Sequence, residues 1–102
     1  MKREANDTDV RRVILDVLKP HSPNIIELSQ RLTSLDGITG VNCMVEEVDQ
    51  ETENIKLTIE GRSIDYDGVV EVIKTMGGAV HSIDSVSVGK KVVEFVETLQ
   101  DR

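Results

Sequence analysis

Tryptophan is missing from this chain, and Tyr66 and Phe95 are its one tyrosine and one phenylalanine. A core must therefore be built from Val, Ile, Leu and Met, and branched aliphatic side chains at this density suit strands. The single cysteine, Cys43, allows neither an internal disulfide nor a thiolate cluster for zinc, and its place in an apolar run reads as a small buried hydrophobe. Long apolar runs are also missing: none approaches the roughly 18 residues of a membrane span, and the opening MKREANDTD is charged rather than signal-like. A cytoplasmic protein with no membrane partner is expected. Positive charge is in short supply, with 12 Lys and Arg against 19 Asp and Glu and a formal charge of −7. That balance opposes the counterion release that holds proteins to a phosphate backbone, so nucleic acid is not an expected partner.

What is present is strong periodicity. The 102 residues suffice for one domain with one modest core. Its organising stretch is residues 37–61, GITGVNCMVEEVDQETENIKLTIEG, two alternating runs around an acidic turn, the pattern of a β-hairpin. In residues 10–18, Val13, Leu15 and Val17 make one apolar face and Arg12, Ile14, Asp16 and Leu18 a mixed one. Ser22 as N-cap and Pro23 as first helical residue would then start a helix whose stripe is Ile25, Leu28, Leu32 and Leu35, ending at Gly37. Beyond the hairpin, Ile64 and Val69 bracket Asp65 as a hydrophobic staple, Val72, Ile73 and Met76 extend the stripe, and Gly77-Gly78 closes it. In the last run, AVHSIDSVSV, neither alternate set is consistently apolar, which predicts an edge strand or a bulge. Residues 22–45 and 63–86 echo each other at constant offset, Leu28, Leu32, Leu35 and Gly37 answering to Val69, Ile73, Met76 and Gly78.

The order β-α-β-β-α-β predicts an α+β, ferredoxin-like plait with both helices on one face of an antiparallel sheet ordered 4-1-3-2. Residues 1–9 would be frayed, 10–89 would form the plait, and 90–102, KKVVEFVETLQDR, would add an amphipathic helix with Val92, Phe95, Val96 and Leu99 on one side. The open sheet face, with Ile14, Leu18, Met44 and Val48, is more apolar than a solvated face should be. A homo-oligomer is expected, with Ile14, Leu18, Met44, Phe95 and Leu99 at the interface between copies.

The same topology gathers Lys19, His21, His81 and the acidic turn with Asp49, Glu51 and Glu53 at one pole. Two imidazoles beside carboxylates offer a divalent cation site, and the oxygen-rich turn would suit calcium, although the spacing lacks the glycine and distant glutamate of an EF-hand loop. Lys19, His21 and Ser22, with the first amides of helix one, make a second candidate, a pocket for a small anionic ligand. No cofactor is demanded by any motif. Outward residues Arg12, Ile14, Asp16, Lys56, Thr58 and Glu60 are not an RNA-stacking platform. Lys19-Pro20-His21-Ser22 stands where a soft-metal chaperone would carry Cys-x-x-Cys, and KPHSPN is not a glycine-rich phosphate loop. No nucleophile, base and orienter form a set. The leading expectation is a non-enzymatic, self-assembling domain that binds a small ligand or cation. One alternative is an enzyme acting on a small anionic substrate, which needs Lys19, His21 and His81 to converge in one concavity. Another is an amino-acid-sensing type of regulatory module, with ligand at the turns Asp36-Gly37 and Gly77-Gly78.

The runs LDVLKPHSP (residues 15–23), GITGVN (37–42), ETENIKLTIEG (51–61) and GGAVHSID (77–84) together resemble the archaeal domain-of-unknown-function 211 family, over residues 10–89. The resemblance implies an archaeal cytoplasmic protein with the ferredoxin-like plait. It implies no reaction and carries over no catalytic residue.

Overall fold

The structure is a computed structural model and describes residues 5–96. Its elements are β1 (Val10–Pro20), α1 (Ile25–Thr33), β2 (Ile38–Val48), β3 (Thr52–Gly61), α2 (Tyr66–Thr75) and β4 (Ala79–Val88). The four strands form one antiparallel sheet in the order β2-β3-β1-β4, which counted from the β4 edge runs 4-1-3-2. The two central strands therefore carry the cleanest alternation, because each has a neighbour on both sides and one face under the helices.

Register turns that alternation into a column. Val13 pairs with Ile59, Leu15 with Leu57 and Val17 with Ile55, and these six residues are buried in one cluster with Leu28 and Leu32 of α1 and Val69 and Ile73 of α2. Both helices thus cover the same sheet face. The next rung of the column is Lys19 opposite Glu53, so the apolar ladder ends in a charged pair.

The helix ends obey local chemistry, with one change from expectation. α1 is capped by Asn24, whose side chain accepts from the Glu27 amide at 2.9 Å. Ser22 is not the cap and Pro23 is not the first helical residue; both precede the helix, across a cis Ser22–Pro23 peptide. Asn24 fits the position because its backbone is extended, at φ −79° and ψ 175°, and its side-chain oxygen meets the amide three residues on. α2 begins at N-cap Asp65 with Ile64 and Val69 both buried around it. It ends with the Gly78 amide bonded to the Ile73 carbonyl and the Gly77 amide to Lys74, each at 2.9 Å, and with Gly77 at φ +87°, the Schellman arrangement.

β4 is an edge strand, and its irregular pattern has a physical reading. Val80, Ile83 and Val86 pair with Val17, Leu15 and Val13, while His81 and Asp84 fall at the register shifts as extra, unpaired residues. Each bulge stretches the apolar repeat from two residues to three.

Two expectations change at the termini, where residues 1–4 of the segment expected to fray lie outside the described residues. Residues 5–9 are tied down: the Asn6 amide donates to Asp9 Oδ2 at 2.7 Å, and the Asp9 carbonyl accepts from the Gly89 amide at 2.9 Å. The helix expected over 90–102 is not formed in residues 90–96. The carbonyls of Gly89 and Lys90, which its first turn would use as acceptors, are both taken by the Arg11 guanidinium, and the Val93 amide donates instead to Ser87 Oγ at 2.9 Å. Residues 97–102, including Leu99, lie outside the described residues.

The outer sheet face also differs from the oily surface expected. Arg12 pairs with Glu60 and, at 2.8 Å, with Glu94; Lys56 pairs with Asp84 at 2.7 Å. Ile14 is half-buried among these groups. Exposed large apolar side chains stand mainly on the edge strands and the terminal segment instead: Met44, Val45 and Val48 on β2, Ile83, Val86 and Val88 on β4, and Val93, Phe95 and Val96 beyond, with Leu18 on β1 and Ile26 on α1 as exceptions. No helix among the described residues is long and apolar enough to cross a membrane.

Candidate functional site

The pole at the end of β1 is built around Glu53. The alternation that buries Val13, Leu15 and Val17 carries Lys19 to the same face, where its side chain is only 2% exposed. Its Nζ donates to Glu53 Oε2 at 2.9 Å and to the Pro20 carbonyl at 2.7 Å, and approaches the His21 carbonyl at 3.5 Å. Such burial is tolerable because the ammonium finds an anion and carbonyl oxygens at once. The other carboxylate oxygen, Oε1, lies 2.9 Å from His21 Nδ1, and His21 Nε2 lies 2.8 Å from the Asp49 carbonyl and 3.2 Å from that of Gln50.

Electrostatics follow from these contacts. Hydrogen bonding to Glu53 first, and to the Asp49 carbonyl second, raises the His21 pKa above the ordinary histidine value. Hydrogen bonds from His21 and Lys19 hold the Glu53 carboxyl below its ordinary value. Cys43, half-buried on β2, has its thiol pushed up by burial, the behaviour of an inert small hydrophobe.

Of the residues singled out from sequence, Lys19, His21 and Glu53 come together, and Asp49 joins through its main chain. The five candidate cation donors do not: among the described residues no three His, Cys, Asp or Glu side chains are grouped as a metal site. Asp49 and Glu51 are exposed at the turn, and both ring nitrogens of His21 are already engaged. His81 is on β4, which flanks β1 on the side away from β3, and lines a different surface, an open groove of about 750 Å³ between α2 and β4 with Tyr66, Val70, Lys74 and Ile83. The anion pocket is filled from within, since Lys19 is spent on Glu53 and the start of α1 on Asn24, with Ser22 exposed outside it. Lys19, His21 and His81 therefore do not share the concavity that a catalytic reading requires.

Sequence reasoning did not find the Lys19–Glu53 pair, although a signal was there. Val13-x-Leu15-x-Val17-x-Lys19 and Glu53-x-Ile55-x-Leu57-x-Ile59 each place the charged residue in phase with the buried one.

The elements and the closed Lys19–Glu53–His21 network define an α+β protein with a four-stranded antiparallel sheet, two helices on one face, and an internally satisfied polar pole. The chain belongs to the domain-of-unknown-function 211 family, uncharacterised ArCR, whose model matches residues 11–102. The match includes residues 90–102, which the resemblance read from sequence did not reach. An uncharacterised protein of Methanocaldococcus jannaschii is 54% identical over 93 residues, spanning 91% of this chain and 96% of that protein.

Proposed function

We propose that this protein is a non-enzymatic, self-associating domain whose edge strands and terminal segment are covered by further copies of itself. The observation that carries the reading is the position of the exposed apolar side chains. Met44 (57% exposed), Val48 (67%), Ile83 (53%) and Val86 (55%) stand on the two strands with a free hydrogen-bonding edge, and Phe95 (81%) on the segment that follows β4. An unpaired edge that also presents apolar side chains is a template for association unless something covers it. The charged pairs on the outer sheet face argue against that face as the main contact, so the interface moves from Ile14 and Leu18 of the central β1 to the edges, with Met44 and Phe95 retained.

Light scattering on the full chain tests this. The expected result is an oligomer that Ile83→Lys or Phe95→Ser weakens to smaller species at micromolar protein; a monodisperse wild-type monomer at the same concentration would remove the proposal. A small ligand, in this reading, sits in the groove between α2 and β4, where Gly78 of the Gly77-Gly78 turn and His81 both line the wall. The Asp36-Gly37 turn is the less favourable location, because Gly37 packs against the main chain of residues 61–63.

A further inference from the structure

His21 stands between acceptors on both sides. Nδ1 faces a carboxylate oxygen of Glu53, and Nε2 faces the carbonyl oxygens of Asp49 and Gln50. Carboxylates and carbonyls only accept, and a neutral imidazole has one N–H, so one of its nitrogens would aim a lone pair at oxygen. Only the imidazolium donates in both directions at once.

We propose that His21 is a proton-operated clamp on the β2–β3 hairpin, tying the turn at Asp49 and Gln50 to Glu53 and the end of β1 while it carries both ring protons, and letting the turn go when it loses one. The groups that face it are Glu53 from β3, Lys19 from β1 sharing that carboxylate, and the turn carbonyls; the turn's Asp49 and Glu51 side chains are exposed. The proton that leaves is the one on Nε2. A carboxylate is the stronger acceptor and keeps the Nδ1–H, so the lone pair appears at the two carbonyls. The turn then retains its own bond, the Asp49 amide to the Thr52 carbonyl at 2.8 Å, but loses its side-chain tether to His21. What loosens is the turn itself, residues 49–51, since β2 stays paired with β3 out to Val48 and β3 with β1 out to Thr52.

The direction with pH follows. A raised histidine value means that the clamp is fully closed below the ordinary value of about 6.5 and opens as pH rises through the folded one. At the acid end it fails only when Glu53 is protonated, as pH falls through that group's lowered value.

The test is nitrogen-resolved NMR of the imidazole in the full chain carrying His81→Asn, so that one histidine reports, with a chelator present throughout. A midpoint above about 6.5, both nitrogens protonated below it and an Nδ1–H tautomer above it are expected. Across that midpoint, amide exchange at Asp49 and its turn neighbours should quicken several-fold beyond the ordinary base-catalysed trend, and His21→Gln should abolish the step. A midpoint at or below 6.5, an Nε2–H form at high pH, or turn amides indifferent to the transition would each overturn the clamp.

Discussion

Gly61→Ala and Gly37→Ala are expected to be among the most damaging single substitutions in the chain, each lowering stability by about 3 kcal/mol, with loss of the folded state in a marginal background. The two glycines nest. A Cβ on Gly61 would overlap the Gly37 carbonyl oxygen, and a Cβ on Gly37 would overlap the Ser63 carbonyl oxygen. Neither neighbour is a flexible side-chain tip. The Gly37 carbonyl is held where it accepts from the Arg62 amide at 2.9 Å, so relief means breaking main-chain bonds where α1 hands over to β2 and β3 to α2. Gly37 also sits at φ +89°, a conformation that costs any other L residue about 1 kcal/mol more. Gly40 is the internal control, with open space where its Cβ would be, and Gly40→Ala should stay within about 0.5 kcal/mol of wild type. Urea unfolding midpoints for the three variants decide the matter. If Gly61→Ala unfolds like Gly40→Ala, the close approach is wrong.

Glu53→Gln should cost about 3 kcal/mol, because it strands a buried ammonium without its anion. Lys19→Met should be milder by at least about 1 kcal/mol, since it removes the buried charge itself and leaves Glu53 with His21 and a larger exposure, 12% against 2% for Lys19. The asymmetry is the informative part. A pair contributing only mutual attraction would lose the same from either side, whereas here the penalty lies in leaving Lys19 unpaired. The double variant should then be no worse than Glu53→Gln alone, a coupling that chemical denaturation of all four proteins reads directly. The wild type should also lose stability as pH falls through the lowered Glu53 value, having held it above the ordinary carboxylate range, and Glu53→Gln should lack that loss. Equal costs for both single variants, or simple additivity, would mean that the pair is solvated rather than buried.

Much of this architecture was legible before any coordinates, for reasons visible in particular residues. β1 and β3 are central, so Val13-Leu15-Val17 and Ile55-Leu57-Ile59 alternate without interruption, and the helical stripes end at glycines whose positive φ only glycine adopts cheaply. β4 was obscure because its two bulges at His81 and Asp84 hide a regular face behind a three-residue repeat that no strand template contains. The terminal segment was misread as helix because KKVVEFV has helical spacing, while its outcome was settled by Arg11, 78 positions from Gly89, capturing the carbonyls that a first turn would need.

The candidate site divides the same way. Lys19, His21 and Glu53 could be named from sequence as chemically capable, but that Lys19 is buried, that Glu53 bonds both Lys19 and His21, and that His81 faces another groove depend on which residues the sheet sets side by side. Element type, order and facing follow from periods of 2 and 3.6 residues written into neighbouring positions, and such local patterns can be read along the chain. Pairings between residues tens of positions apart, such as Lys19 with Glu53, arise only when the register of β1 against β3 has been chosen by the whole core, and those belonged to the tertiary structure alone.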